Sequence, residues 1–195
     1  MLEQLISWDT HVFYCINGHH HPFFDAVLVT LSRHWNIGVV VTLMFALIIL
    51  RREPKRWWLA VVCIGLSFFL ADRISVVCFK DAVCRLRPCH ALEGVRTLNG
   101  CGGQYGFVSS HAANVFSLVT FFVLSYARKN SLFPYFILAW ALLVGYSRIY
   151  LGVHYPLDVI CGALLGIITG TLCYVVKMKT TIALEKRKRR KTGGL

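Results

Sequence analysis

Four near-continuous apolar runs, at residues 57–79, 112–127, 132–146 and 157–176, constrain this chain more than any other feature. A bilayer core about 30 Å thick takes roughly 20 apolar residues per helical span, and each run is bounded by charge, Pro or polar residues. A fifth span is expected at about 37–50. It is short, and a backward continuation through Arg33 and His34 into the apolar segment 23–31 stays open. The fold class that follows is all-α: a multi-pass transmembrane helix bundle of five or six spans. With 195 residues, 56% hydrophobic and 15% charged, the chain has no room for a second folded domain. Residues 1–176 are expected to form one membrane-embedded domain and residues 177–195 a basic cytoplasmic tail. Residues 1–10 contain acidic groups and lack a basic segment leading into an apolar one, so no cleavable signal peptide is expected.

The formal net charge of +12 would suggest nucleic acid in a soluble protein, so its placement matters more than its size. From Lys177 onward the chain carries eight Lys or Arg against one Glu. A basic stretch after an apolar run is expected to flank the membrane and attract anionic lipid headgroups. No aromatic residue interleaves 186–191, which argues against nucleic acid as a partner. Arg51, Arg52, Lys55 and Arg56 precede one span, and Arg128 and Lys129 separate two others. Placing these and the tail in the cytoplasm forces 81–107 and 148–154 to the opposite face. The expected location is a plasma membrane, the inner one in a bacterium.

Gly162, Gly166 and Gly170 recur every four residues, which places them on one helix face where a neighbouring helix can approach closely. His19, His20 and His21 are adjacent and cannot converge on one ion, so they are read as an interfacial loop. Asp72 and Arg73 approach the outer membrane boundary and are expected to support the site from outside its motifs. Of eight cysteines, Cys15, Cys63, Cys78, Cys161 and Cys173 sit in or beside apolar stretches. Cys89 and Cys101 share the long polar loop and could bridge it on an oxidising face.

Three clusters place cations, serines and histidines at the same ends of the helices. In the first, Lys80 and Arg87 are seven residues apart, on one face if the helix continues, and suit a phosphate. In the second, Ser109 and Ser110 precede the apolar run at 112, where free backbone N–H groups favour an anion, and His111 stands beside them as a proton donor. In the third, Ser147 and Arg148 are followed by His154, with Asp158 four residues on. That carboxylate can orient one ring nitrogen and leave the other to attack phosphorus. These groups put the expected active site at the outer ends of the helices.

Lys80, Arg87 and Pro88, then Ser109 and His111, then Ser147, Arg148, His154 and Asp158 resemble, in order and spacing, the three motifs of the type 2 phosphatidic acid phosphatase superfamily. The resemblance covers residues 80–158 directly. Val108 and Ser110 depart from the second motif, where the family carries Pro and Gly. It implies a membrane phosphatase in which His154 attacks phosphorus, His111 protonates the leaving lipid oxygen, and Lys80, Arg87, Ser109, Ser110 and Arg148 bind phosphate oxygens. No cofactor and no metal are expected. The substrate is expected to be a lipid phosphate or pyrophosphate, with undecaprenyl pyrophosphate ahead of lipid A. The alternatives are a catalytically silent protein that binds anionic lipid and, against the apolar spans, a vanadate-dependent haloperoxidase relative.

Overall fold

The computed structural model describes residues 1–32, 36–98, 100–128 and 131–192. Arg33, His34 and Lys129, which entered the span and orientation arguments, lie outside the described residues.

The described chain is helical, with a single isolated bridge between Leu86 and Tyr105. Helices α1 (Leu2–Gly18), α2 (Pro22–Ser32) and α3 (Asn36–Arg52) precede α4 (Trp57–Arg73), which continues through a π-helical segment, Ile74–Lys80, and a last turn, α5 (Asp81–Val83). A short helix, α6 (Pro88–Ala91), lies in the polar loop. Three further helices follow: α7 (Ser110–Tyr126), α8 (Phe133–Tyr150) and α9 (Pro156–Thr192). Among the described residues, Trp57–Val83, Phe133–Tyr150 and Pro156–Lys191 are long and apolar enough to cross a membrane. α7 is a shorter apolar helix, one residue short of that length at 17 residues.

The bundle is a membrane bundle in its packing as well as its composition. Leu66, Phe69, Leu142, Leu164, Ile168 and Leu172 point outward and exposed, as residues facing acyl chains must. Inside, Phe45 of α3 stacks on Phe122 of α7 with ring centroids 3.8 Å apart, and Leu59, Cys63, Ile137 and Cys173 close around them. Lipid supplies no hydrophobic drive for helix association, so close approach and buried polar contacts must hold the helices together. The glycine stripe does the first. A methyl group on Gly162, Gly166 or Gly170 would collide with the α7 backbone at Ser109, Ala113 or Ser117. Ser117 does the second, pairing with Ser67 of α4 and accepting from Thr169 Oγ1 of α9 at 3.1 Å. α7 is thereby locked between α4 and α9.

α1 lies across one end of the bundle. Asp9 accepts from the backbone of Leu157, Phe13 packs on Tyr155, and Asn17 donates to the carbonyls of Arg96 and Tyr150. All these partners sit at the ends of α8 and α9 or in the polar loop. Leu2, Leu5, Ile6 and Trp8 remain exposed. At the opposite end, Lys177 pairs with Glu53, and Arg56 donates to Glu185 at 2.8 Å. α9 runs 37 residues, about 55 Å, so the position-176 boundary expected for the tail falls inside a continuous helix.

Candidate active site

Four elements bring the three sequence clusters together. α7 contributes its N-terminus: Ser109 is the N-cap, its hydroxyl accepting from Ala112 N at 3.5 Å, and its own N–H donates to the carbonyl of Asp158 at 2.9 Å. That last bond ties the start of α7 to the start of α9. Ser110 shares a 2.7 Å hydrogen bond with Ser75 of the π-helical segment. In a π-helix residues five apart share a face, so Lys80, five on from Ser75, faces the same way. Lys80 lies within electrostatic reach of Arg87, Arg148, Asp72 and Asp158.

Lys80 and Arg87 do not share a helix face, contrary to the expectation from their seven-residue spacing. The helix ends at Val83, and Cys84 turns the chain with φ at +51°. Arg87 is extended, and the polar loop holds its guanidinium: Nη1 donates to the Cys101 carbonyl at 3.1 Å and Nε to the Tyr105 carbonyl at 3.3 Å. A turn therefore brings the two cations together. Cys89 and Cys101 are joined in a disulfide with Cα atoms 6.0 Å apart, which fixes the carbonyl that holds Arg87. Burial pushes the pKa of Arg87 below its ordinary value while the nearby Asp158 carboxylate opposes that shift.

α8 and α9 supply the third cluster. Arg148 is buried at the end of α8; Nη1 donates to Ser32 of α2, and Nε is buried with no hydrogen-bond partner among the described residues. Its carbonyl accepts from the backbone N–H groups of Val153 and His154, at 3.2 Å each. The turn between them needs Gly152, whose φ is +78° and whose missing side chain leaves room for the Arg96 carbonyl. Ser147 hydrogen-bonds within α8, donating to the Val144 carbonyl at 2.7 Å.

His154 is 1% exposed, and its Nδ1 is 3.5 Å from Asp158 Oδ2. That separation is an ion-pair distance and not a formed hydrogen bond, and such contacts tighten when substrate arrives. Desolvation holds the imidazole pKa down to about 4, with Asp158 pulling the other way. The ring is therefore neutral at pH 7, the state a nucleophile needs. His111 and Ser110 open onto a cavity of about 550 Å³ between α2, α4, α7 and α8, lined also by Asp72, Phe68, Asn114 and Trp140. Asp72 thus flanks the site; Arg73 lies 5.7 Å from the Phe69 ring.

The family model for the PAP2 superfamily matches residues 56–182, which carry every residue assembled above except those of α1 and α2. The chain belongs to the PAP2 superfamily. It is a membrane phosphatase. A lipid A 4'-phosphatase of Porphyromonas gingivalis is 33% identical over 90% of this chain and 75% of that protein. An undecaprenyl-diphosphatase of Sulfolobus acidocaldarius is 29% identical over 84% of this chain and 76% of that protein. The crystal structure of Aquifex aeolicus LpxE superposes with a TM-score of 0.64 at 28% identity, covering 87% of this chain and 94% of that one.

Sequence reasoning missed Arg85, Asp9 and Ser75. Arg85 bridges Asp158 and Asp9, and Ser75 holds Ser110. Asp9 and Ser75 carried no signal in the sequence. Arg85 stood inside the first cluster, but its spacing matched no motif.

Proposed function

We propose that this phosphatase cleaves the phosphate from a membrane lipid phosphate through a phosphohistidine. The observation that supports it best is a buried, neutral His154 backed by Asp158 and flanked by the Arg87 and Arg148 guanidiniums. In the first step His154 Nε2 forms a bond to phosphorus as the bond to the lipid oxygen breaks, and His111 gives that oxygen its proton. In the second, water attacks phosphorus, His111 takes the water proton, and the P–N bond breaks to release phosphate. Lys80, Arg87, Arg148, Ser109 and Ser110 bind phosphate oxygens, with the backbone at the start of α7 contributing donors. Donors aimed at developing charge are worth about 3 to 4 kcal/mol each, or two to three orders of magnitude in rate. Among the described residues no cluster of carboxylates with metal-ligand geometry lies at the site, so the reaction is proposed to be metal-independent.

The site end carries the disulfide and the other end carries the basic turn and the helical tail. Both features support a site facing away from the cytoplasm of a bacterial inner membrane, with the tail inside and drawn to anionic headgroups. Among substrates, lipid A phosphate moves ahead of undecaprenyl pyrophosphate because the relative that acts on lipid A is the more similar and is matched over more of this chain. The test is phosphate release by the detergent-purified protein in EDTA, wild type against His154→Ala, on lipid A, undecaprenyl pyrophosphate, phosphatidylglycerol phosphate and phosphatidic acid. Release from lipid A that vanishes in the variant is expected. No release from any of the four would favour a silent lipid-binding protein.

A further inference from the structure

Arg85 has no place in the three motifs, yet it makes the best-formed contacts of any side chain near His154. The left-handed turn at Cys84 swings it toward the start of α9. There its Nη1 donates to Asp158 Oδ1 at 2.8 Å and its Nη2 to Asp9 Oδ2 at 2.6 Å. Asp9 in turn accepts through Oδ1 from Leu157 N at 2.8 Å, a first-turn N–H of α9. The Arg85 guanidinium also lies 3.9 Å over the Tyr155 ring, which packs on Phe13 of α1. Asp9 and Asp158 are both fully buried, and Arg85 is largely so.

These contacts fix the Asp158 carboxylate as a rigid body. Arg85 holds Oδ1, the Tyr155 N–H holds Oδ2 at 3.0 Å, and Oδ2 is the oxygen that faces His154 Nδ1. A carboxylate held at both oxygens cannot rotate away from the ring it orients, and outer partners of this kind commonly set ligand and base orientation. Asp9 then fixes Arg85, whose other hand would otherwise be free to pull Asp158 out of line. Two buried carboxylates flank one guanidinium, so Asp158 keeps only part of the neutralising charge.

We propose that Asp9 and Arg85 are positioning residues for the reaction, acting through Asp158 to hold His154 in its attacking tautomer, so that α1 belongs to the catalytic apparatus. Asp9 lies outside residues 56–182, the stretch matched by the family model, whereas Arg85 and Asp158 lie inside it. The proposal rests on the reading of His154 as nucleophile.

Asp9→Asn and Arg85→Gln, each alone and combined with Asp158→Asn, are assayed on lipid A, or on the lipid of the four-member panel that wild type turns over. Asn at position 9 keeps the shape but removes the charge and one of the two acceptor oxygens, leaving a single carbonyl oxygen for either Leu157 N–H or Arg85, and thermal unfolding in detergent checks that each variant folds. The expected result is a kcat 10- to 100-fold lower for each single variant with KM within about twofold, and no further loss in the Asp158→Asn background, because residues that act through one another are not additive. The acid limb of kcat/KM supplies a readout that a purely structural role would not split. His154 faces Asp158 from α9, Arg148 from α8 and Arg87 from the loop. Removing the Arg85 charge leaves Asp158 more strongly negative, so His154 holds its proton to higher pH and the limb moves up. Removing the Asp9 charge leaves Arg85 undivided on Asp158, and the limb moves down. Wild-type kinetics in both folded variants, a full additional loss in the Asp158→Asn background, or a change in KM alone would each overturn the proposal. If His154→Ala retained activity, the underlying reading would fail instead, whatever the Asp9 and Arg85 variants do.

Discussion

Adding one methyl group at Gly166 tests whether the α7–α9 contact sets the catalytic geometry. A Cβ there would sit 2.8 Å from Ser117 N and 2.9 Å from Phe116 Cβ, and would clash with the Ala113 carbonyl. Ordinary contact begins near 3.4 Å, and the α7 backbone cannot swing aside as a flexible side chain can. α7 must therefore move by roughly 1 Å, carrying Ser109, Ser110 and His111 away from His154 and Asp158 on α9. A misplacement of that size costs about 100-fold in rate, or about 2.7 kcal/mol in the barrier. The overpacking itself costs about 1 to 3 kcal/mol of stability. Phosphate release and thermal unfolding are measured for Gly166→Ala beside Gly65→Ala, whose added Cβ meets nothing within 4 Å. The expected outcome is a drop of about two orders of magnitude in kcat and a lower unfolding midpoint at position 166, with position 65 unchanged. A Gly166→Ala enzyme within twofold of wild type would refute the claim that helix separation holds the clusters in register.

Other expectations follow from single features. Arg148→Lys keeps a charge but loses the fork that donates to Ser32 and leaves Nε for phosphate, so kcat should fall about 100- to 1000-fold; a fall below tenfold would remove Arg148 from the site. Ser in place of both Cys89 and Cys101, or reduction of the wild type, should loosen the loop that holds Arg87, raising KM and slowing reduced-form migration on denaturing gels; unchanged KM and mobility would count against that role. His154, with its pKa depressed to about 4 by desolvation against an unfolded value near 6.5, contributes stability that is complete above pH 6.5 and lost as pH falls through 4. The acid limb of kcat/KM should accordingly lie below about pH 5, and a limb at 6.5 that shifts with Asp158→Asn would contradict the burial argument. Glu53→Gln leaves Lys177 buried beside the Tyr126 ring without its partner and should destabilise by about 1 to 3 kcal/mol, less than for a fully buried pair because Glu53 keeps 26% of its side-chain surface exposed. Activity at low temperature should be unaffected, since this pair sits at the far end of the bundle.

The spans, the three motifs and the glycine stripe were legible because each is a local pattern: an apolar run, a fixed spacing, a period of four. The packing partner of Gly162, Gly166 and Gly170 was not, since only the folded bundle sets α7 against them. The meeting of Lys80 and Arg87 was anticipated for the wrong reason. Spacing suggested a shared helix face, whereas the helix ends at Val83 and the left-handed Cys84 turns the chain between them. Asp9 and Arg85 were illegible for a simpler reason. Their contacts join positions separated by 73 to 148 residues, and no local pattern records them. α1 formed no apolar run in the sequence, so nothing local pointed to its place in the bundle. Buried Asp9 and Asn17, tied to the ends of α8 and α9, are what lay it across the site.

The central claim is a covalent bond between His154 and phosphorus, and trapping that bond tests it most directly. Lipid A carrying ³²P in its phosphate is mixed with wild type and with His154→Ala for less than one turnover and quenched in alkali, where phosphohistidine survives. The account predicts label on the wild-type protein that is released by acid, and none on the variant. Full turnover with no protein-bound label, or equal label on His154→Ala, would contradict it.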